Sequence, residues 1–332
     1  MKKLTLLAVA FATLSTSLVS CTSDEPAASN QGNNVDKPYM ATESVSVTAS
    51  LPTGIKSRSV EGQFLGDGKE VNHFVWALYD AASGEVVESG EENCTAGQGS
   101  FSFKFQAVPG VQYRVFVCAD SKSHHNINLI SHEISRMRGT LYCTTKDDAD
   151  LFLYLSDSFT SSDLNGSMSI SLTRPFIQVV LVSKSTDAIP DDVKAKNLST
   201  SVELLDRSGQ TTVYNFWDDS WSGNAEPWYV SLSLDKTEVL PIKGFEDYQL
   251  ISYGNFFASK DASKRQPIEA GIKWTVKGRD NVTYYSGHVK IPSEMVKQNT
   301  RVVITDANGG IFTDNVNVTA SVSTAFDGES TF

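Results

Sequence analysis

Histidines, cysteines and clustered carboxylates are where acid–base, nucleophilic or metal chemistry would be sought first, and this chain holds few of them in useful spacing. Asp147, Asp148 and Asp150 lie together, and carboxylates so spaced could share a proton or hold Ca²⁺. No glycine-spaced ligand set follows them, so a solvated loop is the simpler expectation. His132-Glu133 lacks the second histidine that a zinc-binding helix face needs, and the adjacent His124-His125 point different ways on any regular element, which reads as an exposed loop pair. Asp306-Ala307-Asn308-Gly309 begins like a calcium loop without a bidentate glutamate after it, and is read as a β-turn. A G-x-S-x-G elbow, a P-loop and a G-x-G-x-x-G turn behind a strand are all missing. The expectation is a non-enzymatic protein with no catalytic residue, no metal and no cofactor.

Two features remain. Trp217-Asp218-Asp219-Ser220-Trp221, followed by Trp228-Tyr229, is the most aromatic patch; Trp217, Trp221 and Trp228 could stack on sugar rings or pair across a hairpin. The other feature is Cys21. Lys2 and Lys3 precede an apolar stretch over Leu4 to Leu14, which is too short to span a bilayer and has the make-up of a cleaved export signal over residues 1–20. Leu18-Val19-Ser20-Cys21 then resembles a bacterial lipobox, in which small side chains fit the signal peptidase and the thiol accepts a glyceride. Several acyl chains on Cys21, palmitate among them, make a stable anchor, because each buried CH₂ contributes ~0.8 kcal/mol.

Behind Cys21, residues 21–43 are poor in large apolar side chains and open on Thr22-Ser23-Asp24-Glu25-Pro26. They read as a flexible tether, and the acidic start is either a solvated linker or a surface-export signal. The whole chain has 28 basic and 39 acidic residues, a net charge of −11, which disfavours nucleic acid as a partner. Hydrophobic residues make up 40%, enough for a packed core. Cys94, Cys118 and Cys143 are an odd set once Cys21 is lipidated; Cys118 and Cys143 sit in apolar strand contexts where buried thiols are usual.

The elements that must carry these residues are strands. Val45, Val47, Ala49 and Leu51 alternate with polar residues, and Phe74 to Tyr79 is a continuous apolar run. Phe101, Phe103 and Phe105 alternate before Pro109-Gly110, and Val111, Tyr113, Val115 and Val117 alternate after it, which predicts a hairpin. Residues His124 to Arg138 form the one short helix or long loop of this half. From Arg174-Pro175 a second series of short strands begins and runs to the C-terminus. The pattern predicts an all-β chain of two tandem β-sandwiches of transthyretin or immunoglobulin type, over residues 44–173 and 174–332. Val316, Val318, Ala320 and Val322 alternate strictly and Phe326 prolongs the same face. That suits either an ordinary last strand or, over 314–326, a strand laid into another groove.

Taken together, several pieces resemble fimbrillin-like lipoproteins, the type V pilins and their relatives in gut and oral Gram-negative anaerobes. They are the lipobox cysteine, Leu172-Thr173-Arg174-Pro175-Phe176-Ile177-Gln178-Val179, Trp76-Ala77-Leu78-Tyr79-Asp80 with its Gly84 turn, and Asp147-Asp148-Ala149-Asp150-Leu151-Phe152. Ile251-Ser252-Tyr253-Gly254-Asn255-Phe256-Phe257-Ala258 and Gln298-Asn299-Thr300-Arg301-Val302-Val303-Ile304 also fit. The resemblance implies an outer-membrane, surface-exposed protein held through its acylated Cys21, with other fimbrial subunits as partners. It further implies processing in the basic loop at Lys56 and Arg58, loss of the first strand, and assembly by β-strand addition. A monomeric surface glycan binder using the tryptophan patch is the alternative.

Overall fold

The computed structural model describes residues 41–52, 68, 70–121, 125–136, 150–184, 189–204, 213–222, 228–231, 248–261, 263, 268–291, 293–306 and 318–325. Cys21, Lys56, Arg58, His124, Cys143, Asp147, Asp148, Val316 and Phe326 lie outside them. The described chain is all-β, and its one α-helical turn is Asp191–Lys194.

The first nine strands are β1 (Glu43–Ser50), β2 (His73–Asp80), β3 (Val86–Asn93), β4 (Ser100–Ala107), β5 (Tyr113–Asp120), β6 (His125–Asn128), β7 (Glu133–Arg136), β8 (Leu151–Leu155) and β9 (Ser167–Ser171). They build a β4-β1-β9 sheet and a β3-β2-β5-β8 sheet. Val45, Val47 and Ala49 of β1 and Phe101, Phe103 and Phe105 of β4 meet Phe74, Trp76, Leu78, Val115 and Val117 from the other sheet. Phe74 stacks on Phe101 with ring centroids 5.0 Å apart, and Trp76 on Phe103 at 4.4 Å. The expected β4–β5 hairpin does not form. The chain does reverse at Pro109-Gly110, with Gly110 at φ +80°, but β4 pairs with β1 and β5 with β2, so this turn is an arch between two sheets. Alternation marks which side of a strand is buried and leaves its neighbour open.

Ten further strands follow: β10 (Phe176–Ser183), β11 (Ser199–Leu204), β12 (Val213–Asn215), β13 (Ser220–Ser222), β14 (Trp228–Ser231), β15 (Gln249–Phe257), β16 (Ile268–Lys277), β17 (Thr283–Ile291), β18 (Thr300–Asp306) and β19 (Val318–Ala325). Two more sheets result, ordered β15-β10-β18-β19 and β14-β11-β16-β17. They enclose Ile177, Val179, Leu181, Ile251, Phe256, Val276, Val302 and Ile304. The two halves share one pattern. In each, the first strand lies between an antiparallel neighbour and a later parallel one: β1 between β4 and β9, β10 between β15 and β18.

A fifth sheet, β13-β12-β7-β6, joins residues from both halves. The expected helix or loop at His124 to Arg138 is thus a β6–β7 hairpin in its described part. The Asn128 carboxamide accepts the N–H groups of Ile130 and Ser131, His132 takes φ +58°, and β7 pairs with β12 more than seventy residues away. Beneath this sheet Ala77, Tyr79, Phe116 and Cys118 meet Ile134, Phe176, Tyr214, Phe216 and Phe257, with Phe116 stacked on Phe216 at 3.8 Å. This second contact explains why β2 and β5 are apolar without alternation: both of their faces are covered.

Arg174, fully buried, enters the same region and places its guanidinium 3.4 Å from Asp150 Oδ1 and 4.1 Å above the Phe152 ring. Removing one member of a buried ion pair leaves an uncompensated charge. Asp150→Ala is therefore expected to lower the unfolding free energy by about 3–5 kcal/mol, whereas Asp150→Leu with Arg174→Met recovers much of that loss. Chemical denaturation of the three proteins checks it. Gly90 offers a second test. It lies opposite Trp76, and a β-carbon there would stand 2.6 Å from Trp76 Nε1. Gly90→Ala should cost about 1–3 kcal/mol in the same assay, because the tryptophan is already held against Phe103.

Candidate functional site

Three places in the described residues could carry function. The first is the slot of β1. It is hydrogen-bonded on both sides, antiparallel to β4 from Glu43↔Ala107 to Ser50↔Ser100 and parallel to β9 from Ser46↔Ser167 to Ser50↔Ser171. Val45 and Val47 are 1% exposed and Ala49 not at all. The chain leaves β1 through Leu51 and Pro52 toward the segment containing Lys56 and Arg58. Near the C-terminal end of the sequence β19 pairs with β18. Val322 lies opposite Val302, Ala320 opposite Ile304 and Val318 opposite Asp306.

The second is an open groove of about 460 Å³ between β5, β8 and the loops after β12 and β15. Arg114, Tyr154, Asp157, Trp217, Lys260 and Asp261 are among the residues that line it. Part of this lining is cross-braced. The Tyr214 hydroxyl donates to Asp219 Oδ1 at 2.7 Å, and the carboxylate of Asp219 also accepts the backbone N–H groups of Lys260 and Asp261 at 3.0 and 2.8 Å. Gln298 Nε2 donates to the Ala258 carbonyl at 2.8 Å. Burial, with the Asp219 charge behind it, drives the Tyr214 phenol far above its ordinary range, so it stays a donor.

Of the three tryptophans, Trp217 lines this groove. Trp217 is half-buried, with Arg114 over its ring at 4.5 Å, His132 stacked at 4.8 Å and Tyr79 edge-on at 5.3 Å. Trp221 lies across the β12–β13 hairpin opposite Tyr214, and Trp228 pairs in a different sheet opposite Val202. His132 Nε2 lies 2.9 Å from the Gly84 carbonyl, and Glu133 accepts from Ser131 Oγ.

The third is a buried polar cluster that the sequence reading missed. His125, expected to be exposed, is 4% exposed, with its Nδ1 3.6 Å from Asp120 Oδ2. His73 Nδ1 is 2.8 Å from Asp120 Oδ1. Asp150, expected to be solvated, is likewise fully buried; it accepts the N–H groups of Gly68 and Glu70 as well as facing Arg174. The partners lie far apart in sequence, so no local spacing announces them. Among the described residues no group of three or more histidine, cysteine or carboxylate side chains is arranged to hold a metal. Cys118 is buried and Cys94 half-buried, and both are free thiols.

Burial by itself would raise the Asp120 pKa, but the hydrogen bonds and charge of His125 and His73 outweigh it and hold this carboxyl below its usual range. A carboxylate depressed in the folded state stabilises above its unfolded pKa of ~3.9, and that contribution fades as pH falls through the folded value. Asp120→Asn should therefore cost more stability at pH 7 than at pH 3, read by denaturation at both. Equal losses would show that the carboxylate charge contributes nothing.

Several solved structures are similar to this chain at low identity. A proposed adhesin from Bacteroides thetaiotaomicron is 11% identical, with 86% of this chain and 99% of that one covered and a TM-score of 0.47. The tip fimbrial protein of Porphyromonas gingivalis, solved with a C-terminal truncation, is 10% identical over 84% and 99%, with a TM-score of 0.43. The fimbrial anchor protein of the same organism is 11% identical over 85% and 99%, with a TM-score of 0.42. No curated protein matches. Residues 38–331 match the family of unknown function DUF6562, and because that match covers far more than half of the chain, the chain belongs to that family.

Proposed function

We propose that this protein is a non-enzymatic cell-surface lipoprotein of the fimbrillin type, a fimbrial stalk, tip or anchor subunit that serves adhesion. Cys21 carries the acyl anchor in the outer membrane, residues 21–43 are the tether, and the folded part comprises two sandwiches meeting near residue 174. Cleavage at Lys56 or Arg58 frees β1 from the rest of the chain. The incoming strand is residues 314–326 of the next subunit, presenting Val316, Val318, Ala320, Val322 and Phe326.

The observation that carries this reading is the seating of β1. It is the first of the described strands, it has neighbours on both sides, and its buried set is small: Val45, Val47, Ala49 and Leu51. Its loss would leave two rows of backbone groups unpaired and uncover Phe101, Phe103 and Phe105 of β4. Each valine or leucine returned to water costs about 1.5–3 kcal/mol, so a vacated slot strongly favours a replacement strand. Val318, Ala320 and Val322 repeat the size and period of the β1 set, as strand addition demands. To donate, β19 must exchange its pairing with β18 for the slot.

Limited trypsin treatment of the purified chain should remove the segment up to Arg58 and give detergent-resistant ladders. Lys56→Ala with Arg58→Ala should abolish both. A wild-type chain that loses β1 and stays monomeric at high concentration would overturn the assembly role.

A further inference from the structure

Two segments at opposite ends of the sequence are written in nearly the same residues. Val45-Ser46-Val47-Thr48-Ala49-Ser50-Leu51 and Val316-Asn317-Val318-Thr319-Ala320-Ser321-Val322 agree at five of seven positions. With Thr42 matching Thr313 and Thr53 matching Thr324, residues 42–55 and 313–326 share seven of fourteen. The first copy holds β1, and the second runs through most of β19. Alternation accounts for the valines alone. It makes no demand on Thr48 and Ser50, which lie on the side of β1 away from the core, yet Thr319 and Ser321 repeat them. Thr48 Oγ1 lies 3.2 Å from Ser102 Oγ of β4.

The seat of β1 is also selective at one point. Ala49 has no exposure and stands between Phe101 of β4 and Ile170 of β9, with Phe74 stacked on Phe101. A larger side chain there would overpack the core. Residues 316–322 meet that limit in a single arrangement. A slip by one residue turns the polar side inward. A slip by two brings Val318 or Val322 to the place of Ala49. Reversing the strand with Ala320 kept in place brings Thr324 to the position of Val45, opposite Phe105. We propose that the seat of β1 takes residues 316–322 of a second copy of this chain in one register and one direction, antiparallel to β4 and parallel to β9. Val316 replaces Val45, Val322 replaces Leu51, and Ala320, set between Phe101 and Ile170, fixes the register. This fit rests on the strand-addition reading and specifies it residue by residue.

The test begins on the uncut full chain. Ser46→Asn with Leu51→Val gives β1 the residues of 316–322 and should keep the thermal midpoint within about 5 °C of wild type, whereas Ala49→Leu should lower it further. Trypsin-treated chains carrying Thr319→Cys are then mixed with chains carrying Ser102→Cys. Thr319 takes the place of Thr48, so a disulfide between copies should form, mapped by mass spectrometry. Asn317→Cys and Ser321→Cys should give that link at least about tenfold less. Where no ladder forms, a synthetic peptide of residues 313–326 with Thr319→Cys is refolded with the cut Ser102→Cys chain. A link there supports the register while assembly between subunits falls. The register is overturned if that peptide gives no link, if ladders form without the Thr319→Cys link, or if Asn317→Cys or Ser321→Cys links equally well. Unfolding of the chain by Ser46→Asn with Leu51→Val, or an unchanged midpoint in Ala49→Leu, overturns it too.

Discussion

The buried pair of Arg174 and Asp150 is the constraint around which the rest of the structure is arranged. A guanidinium with no exposure to water is tolerable only where a carboxylate and further hydrogen-bonding groups surround it. Asp150 meets that need from the residue just before β8, and binds the backbone at Gly68 and Glu70 as it does so. Leu153 and Thr173 exchange hydrogen bonds beside it. The chain therefore leaves the first pair of sheets and enters β10 at one defined place.

Everything in the seam inherits that placement. Phe176 starts β10 two residues after Arg174 and packs with Phe257, Tyr214 and Phe216 beneath the far faces of β2 and β5. Both faces of those two strands are consequently dry, and the cross-half sheet covers the remaining edge of the seam. The groove is the open margin of the same junction. Its charged rim is what separates it from the apolar packing a few ångströms away.

The slot of β1 obeys different physics. It draws on backbone pairing and on small apolar side chains that many sequences could supply. The groove depends on particular groups braced in particular positions. The two features share no lining residue among those described.

How much of this the sequence carries depends on the range of each interaction. The alternation in β1 and β4, the turn at Pro109-Gly110, the second strand series from Phe176 and the all-β class are legible, because strand period and turn chemistry are local properties. The lipobox-like run that ends at Cys21 is likewise a local pattern of contiguous residues, and it lies outside the described residues. Pairing is not local. Only the tertiary structure decided that β4 joins β1 instead of β5, that Asp150 reaches Arg174 across 24 residues, and that His125 turns inward to Asp120. It also placed Trp217 between Arg114 and His132, and Trp228 in a different sheet from Trp221. A side-chain pattern specifies which face of a strand is buried, whereas its neighbour is selected by the packing of both faces at once, and that selection exists only in the folded chain.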